Sequence, residues 1–150
     1  MRRAIALALE NVRSGRGGPF GAIVVKDERV IATGVNLVTA TNDPSAHAEV
    51  VAIRAACQAL GDYQLSRCEL YTSCEPCPMC VGAIYWARLT GYFFACTRQE
   101  AAQFGFADDF FYKEIALPPE RRVLPGHGLK VDTALQPFFE WAQSTLKVPY

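Results

Sequence analysis

The octapeptide SCEPCPMC, residues 73–80, carries three of the chain's six cysteines and threads two prolines between them. Some thirty residues upstream stands His47-Ala48-Glu49. Thiol, imidazole and carboxylate are the side chains that hold a soft divalent ion and move protons beside it. Cys77 and Cys80 are three positions apart, so on a helix they share a face and can offer both sulfurs to one ion. A helix N-terminus favours thiolate over thiol, and a bound cation removes the proton outright. With a neutral His47, two thiolates balance the charge of one Zn²⁺ per subunit and leave a fourth position for water. Catalytic zinc sites keep that opening. His47, Cys77 and Cys80 are therefore the predicted ligands. Glu49 is the predicted catalytic residue, taking a proton from water and delivering it to the substrate.

Two other uses of the cysteines compete with this one. Cys74-x-x-Cys77-x-x-Cys80 with His47 would supply a closed Cys₃His structural site. Such a site has no use for Glu49 at its spacing, and Cys74 lies before Pro76, on the strand side of the bend. A disulfide is the other possibility, and a reducing compartment disfavours it. Geometry adds one constraint. Residues two apart on an ideal helix point in nearly opposite directions. His47 and Glu49 can meet one site only if a helix begins within a residue or two of His47.

The surrounding pattern supplies elements to hold these groups. Ile5, Ala8, Leu9 and Val12 recur at helical spacing, predicting an amphipathic helix over 2–13. SGRGGP breaks it. Residues 20–26 and 30–36 read as a hairpin around the turn KDER. AHAEVVAIRAACQALG is a run of helix formers closed by Gly61, with Ser45 as its expected N-cap. CELYTS is a third strand, CPMCVGAIYWARL a helix with Pro78 near its start, and GYFFACT a fourth strand. Beyond residue 98 the pattern blurs. AAQFGFADDFFYKEI reads as a short helix and an irregular segment, GLKVDT as a fifth strand, and Leu135 to Leu146 as a last amphipathic helix. Strands alternating with helices indicate an α/β sheet with helices packed against it.

The bulk numbers fit one domain over 1–150. Half the residues are apolar, 51%, and 20% are charged, which is ordinary for a globular chain. Fifteen basic and fifteen acidic residues cancel, so no large electrostatic footprint for nucleic acid is expected. The opening MRRAIALALENV lacks the apolar length of a secretory leader, and no stretch approaches a membrane span. The expectation is a cytoplasmic protein with no membrane and no nucleic-acid partner.

H-x-E followed by P-C-x-x-C, each opening a predicted helix, matches the signature of zinc deaminases that act on nucleobases. GGPFGAIVVKD, TNDPSAHAEVVAIRAAC, YTSCEPCPMCVGAIYWAR and GFADDFFYKEI together resemble the bacterial guanine deaminases of the cytidine-deaminase superfamily. The resemblance runs to about residue 122 and resumes at the terminal tyrosine. It implies a three-layer α/β/α fold around a mixed five-stranded sheet, and hydrolysis of guanine to xanthine and ammonia in purine catabolism. It also implies a homodimer whose C-terminal segments, about 123–150, are exchanged. Asn36 is then expected to hydrogen-bond the purine and Phe20 to pack against it. Asp108, aligned by its distance from Gly105, would accept from guanine's N–H groups, with Asp109 as the alternative carboxylate. Tyr150 would reach the pocket from the partner subunit. By residue type alone Asn36 is a turn residue, Asp108 a helix cap, Phe20 a core residue and Tyr150 a chain end. Other purine deaminases, acting on guanosine or on adenosine in tRNA, share the zinc motifs. A non-catalytic zinc module is the remaining alternative, and it would tolerate Glu49→Gln.

Overall fold

In the computed structural model, which describes residues 1–150, the β-branched run after Phe20 forms β1 (Gly21–Lys26) and returns as β2 (Arg29–Val35). Asp27 and Glu28 turn the chain with left-handed φ values of 47° and 64°. β3 (Cys68–Cys74) pairs antiparallel with the other side of β1, and β4 (Gly91–Cys96) pairs parallel with β3. The sheet is mixed, in the order β2-β1-β3-β4.

Pleat alternation sends the two faces of β1 to different helices. Ala22 and Val24 face α3 (Ala48–Leu60), together with Leu70 from β3 and Ile84 from α4 (Pro78–Trp86). On the opposite face, a methyl at Gly21 would run into the backbone of Ala4 and Ala8 in α1 (Arg2–Arg13). Helices thus cover both faces, giving the expected three-layer α/β/α arrangement. Val24, Leu65 and Leu70 are fully buried, and each such side chain contributes about 1.5–3 kcal/mol relative to exposure. No helix is long and apolar enough to cross a membrane.

The chain divides into two compact units, Met1–Lys113 and Glu114–Tyr150. The first holds the sheet, α1 to α4, the one-turn α2 (Val38–Thr41), α5 (Arg98–Ala102) and most of α6 (Asp109–Ile115). In the second, the Arg122 guanidinium donates to the carbonyls of Leu117 and Ile115, at 3.1 and 3.3 Å. The Val123 amide donates to the Glu114 carboxylate at 2.7 Å. α7 (Gln136–Gln143) is the expected last helix, shorter than its periodic pattern.

The expected fifth strand is absent, so the sheet has four strands and not five. Residues 128–133 are exposed and form no ladder. A strand exists only where a neighbouring edge satisfies its amides and carbonyls. Leu129 and Val131 alternate correctly, but Pro125, Gly126 and Gly128 before them favour a turn,.

Candidate zinc and purine site

Both halves of the zinc motif sit at helix starts. His47 is the N-cap of α3, in extended conformation. Cys77 is the N-cap of α4, with Pro78 at its first position. The predicted helix start at His47 is met. The N-cap itself is His47 and not Ser45, because Asp43 accepts from the Ser45 amide and hydroxyl at 2.8 and 2.6 Å and draws Ser45 into the preceding turn. Leaving the helix at its first residue frees the His47 ring to swing beside the first turn, where Glu49 points inward.

His47 Nδ1 lies 3.5 Å from Cys77 Sγ and 3.6 Å from Cys80 Sγ. The two sulfurs are 3.6 Å apart. Zinc bonds of about 2.0–2.3 Å in a tetrahedron put ligand atoms roughly 3.5–3.8 Å from one another. The three donors already occupy one face of such a tetrahedron, so the residues fit the ion. Cys74 is not in this cluster. It sits opposite Cys96 in the β3–β4 ladder, which leaves the Cys₃His alternative without its fourth donor.

The electrostatics match that donor set. Contact with Cys80, and with His47, holds the Cys77 pKa well below the ordinary thiol value, while the same contact and burial push Cys80 the other way. Cys77 likewise raises the pKa of His47. Glu49 is buried, and burial raises its carboxyl pKa against the pull of a hydrogen bond from Thr72 at 2.7 Å.

A cavity of about 420 Å³ opens onto these groups. His47, Glu49, Cys77, Asn36, Phe20 and Asp108 all line it. Asn36 is buried just past the end of β2, its backbone N–H donating to the Phe20 carbonyl at 3.1 Å. The Phe20 ring meets Phe106 edge-on, with centroids 4.8 Å apart. Asp108 lines the cavity, and burial raises its pKa. Asp109 begins α6 and pairs with Lys113 at 2.6 Å. Tyr112 ties this segment to the cysteine loop by donating to the Pro76 carbonyl at 2.9 Å. Tyr150 lies in the second unit. Sequence reasoning missed Phe106 and Phe111 on the cavity wall, and Thr72 behind Glu49. Only Thr72 had a signal: a polar side chain at the α3-facing parity of β3.

A mixed sheet that brings an H-x-E helix start against a P-C-x-x-C helix start is the arrangement of the zinc-dependent deaminases. The family described as the cytidine and deoxycytidylate deaminase zinc-binding region matches residues 1–96, and the chain belongs to it. Its similarity extends further to guanine deaminase of Bacillus subtilis, at 54% identity over 150 residues, covering 100% of this chain and 96% of that one. The crystal structure of that enzyme superposes with a TM-score of 0.97 over 99% of this chain and 95% of its own. A tRNA-specific adenosine deaminase of Agrobacterium fabrum is 49% identical over 71 residues only, 47% of each chain.

Proposed function

We propose that this chain is an aminohydrolase that converts guanine to xanthine and ammonia, with one Zn²⁺ per subunit held by His47, Cys77 and Cys80. The observation that carries the reading is the three-donor face, with tetrahedral edge lengths, opening onto a cavity that also holds Glu49 and Asp108. The full-length similarity to a guanine deaminase at 54% identity supports guanine over the tRNA substrate, whose relatives match from 47% to 74% of the chain at 37% to 49% identity. When bound, zinc supplies Lewis-acid activation of a water molecule at its open coordination position. Glu49 accepts the proton that this water gives up. It gives that proton to a ring nitrogen as the hydroxyl adds to the purine carbon, then carries the remaining proton of that hydroxyl to the amine, which leaves as ammonia when the carbonyl forms. Its raised pKa suits this work, because a base must also become an acid within one turnover.

Asp108 sets the purine's identity. Guanine presents N1–H and an exocyclic amine as adjacent donors, and a carboxylate accepts from both. Adenine and cytosine leave part of that capacity unpaired in a dry cavity, costing about 1–3 kcal/mol or more. Asn36 hydrogen-bonds the ring and Phe20 packs against its face. The cavity's volume suits one base. Clustered Lys and Arg, needed to hold flanking phosphates of an RNA, are not among its lining residues.

The working form is a homodimer with exchanged C-terminal segments, in which Tyr150 of one subunit closes the pocket of the other. Leu124, Leu129 and Leu146 support this, being 86%, 85% and 88% exposed in the single chain. Apolar surface of that kind is covered in a stable protein. The balanced charge and short helices fit a cytoplasmic enzyme. The test is ammonia release from guanine, guanosine, adenine, cytosine and cytidine by zinc-loaded protein, with Glu49→Gln in parallel. Activity confined to guanine and lost in the variant is expected. Activity on adenine or cytidine alone, or a fully active E49Q, overturns the proposal.

A further inference from the structure

Thr72 sits on β3, opposite Ala22 of β1 and Phe94 of β4. Along the α3-facing side of β3 it follows Cys68 and Leu70, and like them it is fully buried. A hydroxyl in that row costs stability unless it is hydrogen-bonded. Its proton goes to Glu49 Oε1, at 2.7 Å. The other oxygen, Oε2, accepts only a long contact from the Cys80 thiol, at 3.4 Å. Of the two contacts the Thr72 bond is the shorter, and Glu49 lines the cavity where substrate would sit. The Thr72 hydroxyl comes from a different element, the central strand β3, and metal binding does not alter it.

We infer that Thr72 is the positioning residue of the site: it fixes one oxygen of Glu49 so that the other is presented to water and substrate. The inference rests on the reading of Glu49 as the proton carrier. A glutamate has three rotatable side-chain bonds, and the short bond from the Thr72 hydroxyl restrains the carboxylate at the end of them. Misplacement of a reacting group by about 1 Å costs on the order of 100-fold in rate, so the effect belongs in kcat. Zinc binding and KM depend on other side chains.

The test uses Thr72→Val, which keeps the shape and removes the donor, beside Thr72→Ser, which keeps the donor and removes a methyl. T72V is expected to hold one zinc per subunit, to lose roughly 10- to 100-fold in kcat and to keep KM for guanine within about 3-fold. T72S is expected to recover most of that kcat. In a crystal structure of T72V the Glu49 carboxylate should leave its native position. Should T72V fold poorly, Thr72→Cys, with a weak donor of similar shape, is expected to fall between T72S and an inactive protein. A wild-type kcat in T72V with E49Q inactive sinks this inference alone, as does a T72S as impaired as T72V. An active E49Q removes the proton carrier itself, and Thr72 then has nothing to position.

Discussion

Gly34→Ala tests whether the metal site depends on how closely α3 sits on the sheet. Gly34 lies on β2 opposite Ala22, under the first turns of α3. A methyl there would come within 2.5 Å of the Ala52 nitrogen, and closer still to the Ala48 carbonyl oxygen. Real methyl contacts do not fall below 3.0 Å, so clearing the Ala48 oxygen requires α3 to lift by nearly an ångström, and by somewhat more than one to restore ordinary contact,. Gly34 does not have a left-handed φ, so alanine suits its backbone. Reduced unfolded-state entropy returns about 0.4–1 kcal/mol. Against this, overpacking costs about 1–3 kcal/mol, leaving a net loss of roughly 1–2. The second consequence is larger. His47 heads α3 and the two cysteines come from the start of α4, while zinc–ligand distances tolerate only about 0.2 Å. Lifting one helix and not the other should weaken zinc binding by about 10- to 100-fold, the range of supporting-residue substitutions. Guanidinium unfolding of the metal-free protein measures the first effect, and competition with a chromophoric chelator the second. G34A with both values unchanged would refute the close seating of α3. A stability loss with unchanged zinc affinity would refute the coupling.

Three further outcomes follow from buried or charged groups around the cavity. Asn11 is fully buried in α1, and its amide donates to the carbonyls of Gly18 and Asn36 at 2.9 and 2.8 Å. Asn11→Ala leaves the Asn36 carbonyl without its donor, at about 1–3 kcal/mol, while the Gly18 carbonyl keeps the Phe20 amide at 2.8 Å. Urea unfolding should show the loss, and an unchanged midpoint would show the clip to be idle. In metal-free protein Cys77, held well below the ordinary thiol pKa by its contact with Cys80, should be the first cysteine alkylated by iodoacetamide at neutral pH,. Cys74, raised by burial, should lag, and zinc should protect Cys77; peptide mapping with the opposite order would refute this. Asp43 is held below its ordinary 3.8 by the Ser45 hydroxyl and amide. A depressed carboxylate stabilises the fold above its unfolded value and loses that contribution as pH falls through the folded one. Asp43→Asn should therefore be less stable than wild type at neutral pH and equal to it in acid, read from thermal midpoints from about pH 2 to 7.

Why some of this was readable from sequence and some was not follows from the range of the forces involved. α1, β1 to β4 and the two motif helices are written in local pattern. Apolar spacing, Gly61 in left-handed conformation and Pro78 at a first helical turn each act within a few residues,. The metal ligands were equally legible, because helix geometry brings Cys77 and Cys80 together and the His47–Glu49 spacing demands a helix start. Ser45 as N-cap failed for an equally local reason: Asp43 competes for the same hydroxyl. The fifth strand failed for a non-local one. Alternation at Leu129 and Val131 describes how a strand would be dressed, but a ladder needs a partner edge that no local pattern supplies. Thr72 lies between these cases. Its parity on β3 was readable, yet its partner is 23 positions away on another layer. A polar residue at core parity beside a predicted proton carrier is therefore a signal in its own right: burial obliges the hydroxyl to find an acceptor, and the carboxylate is the acceptor that the motif has already placed there.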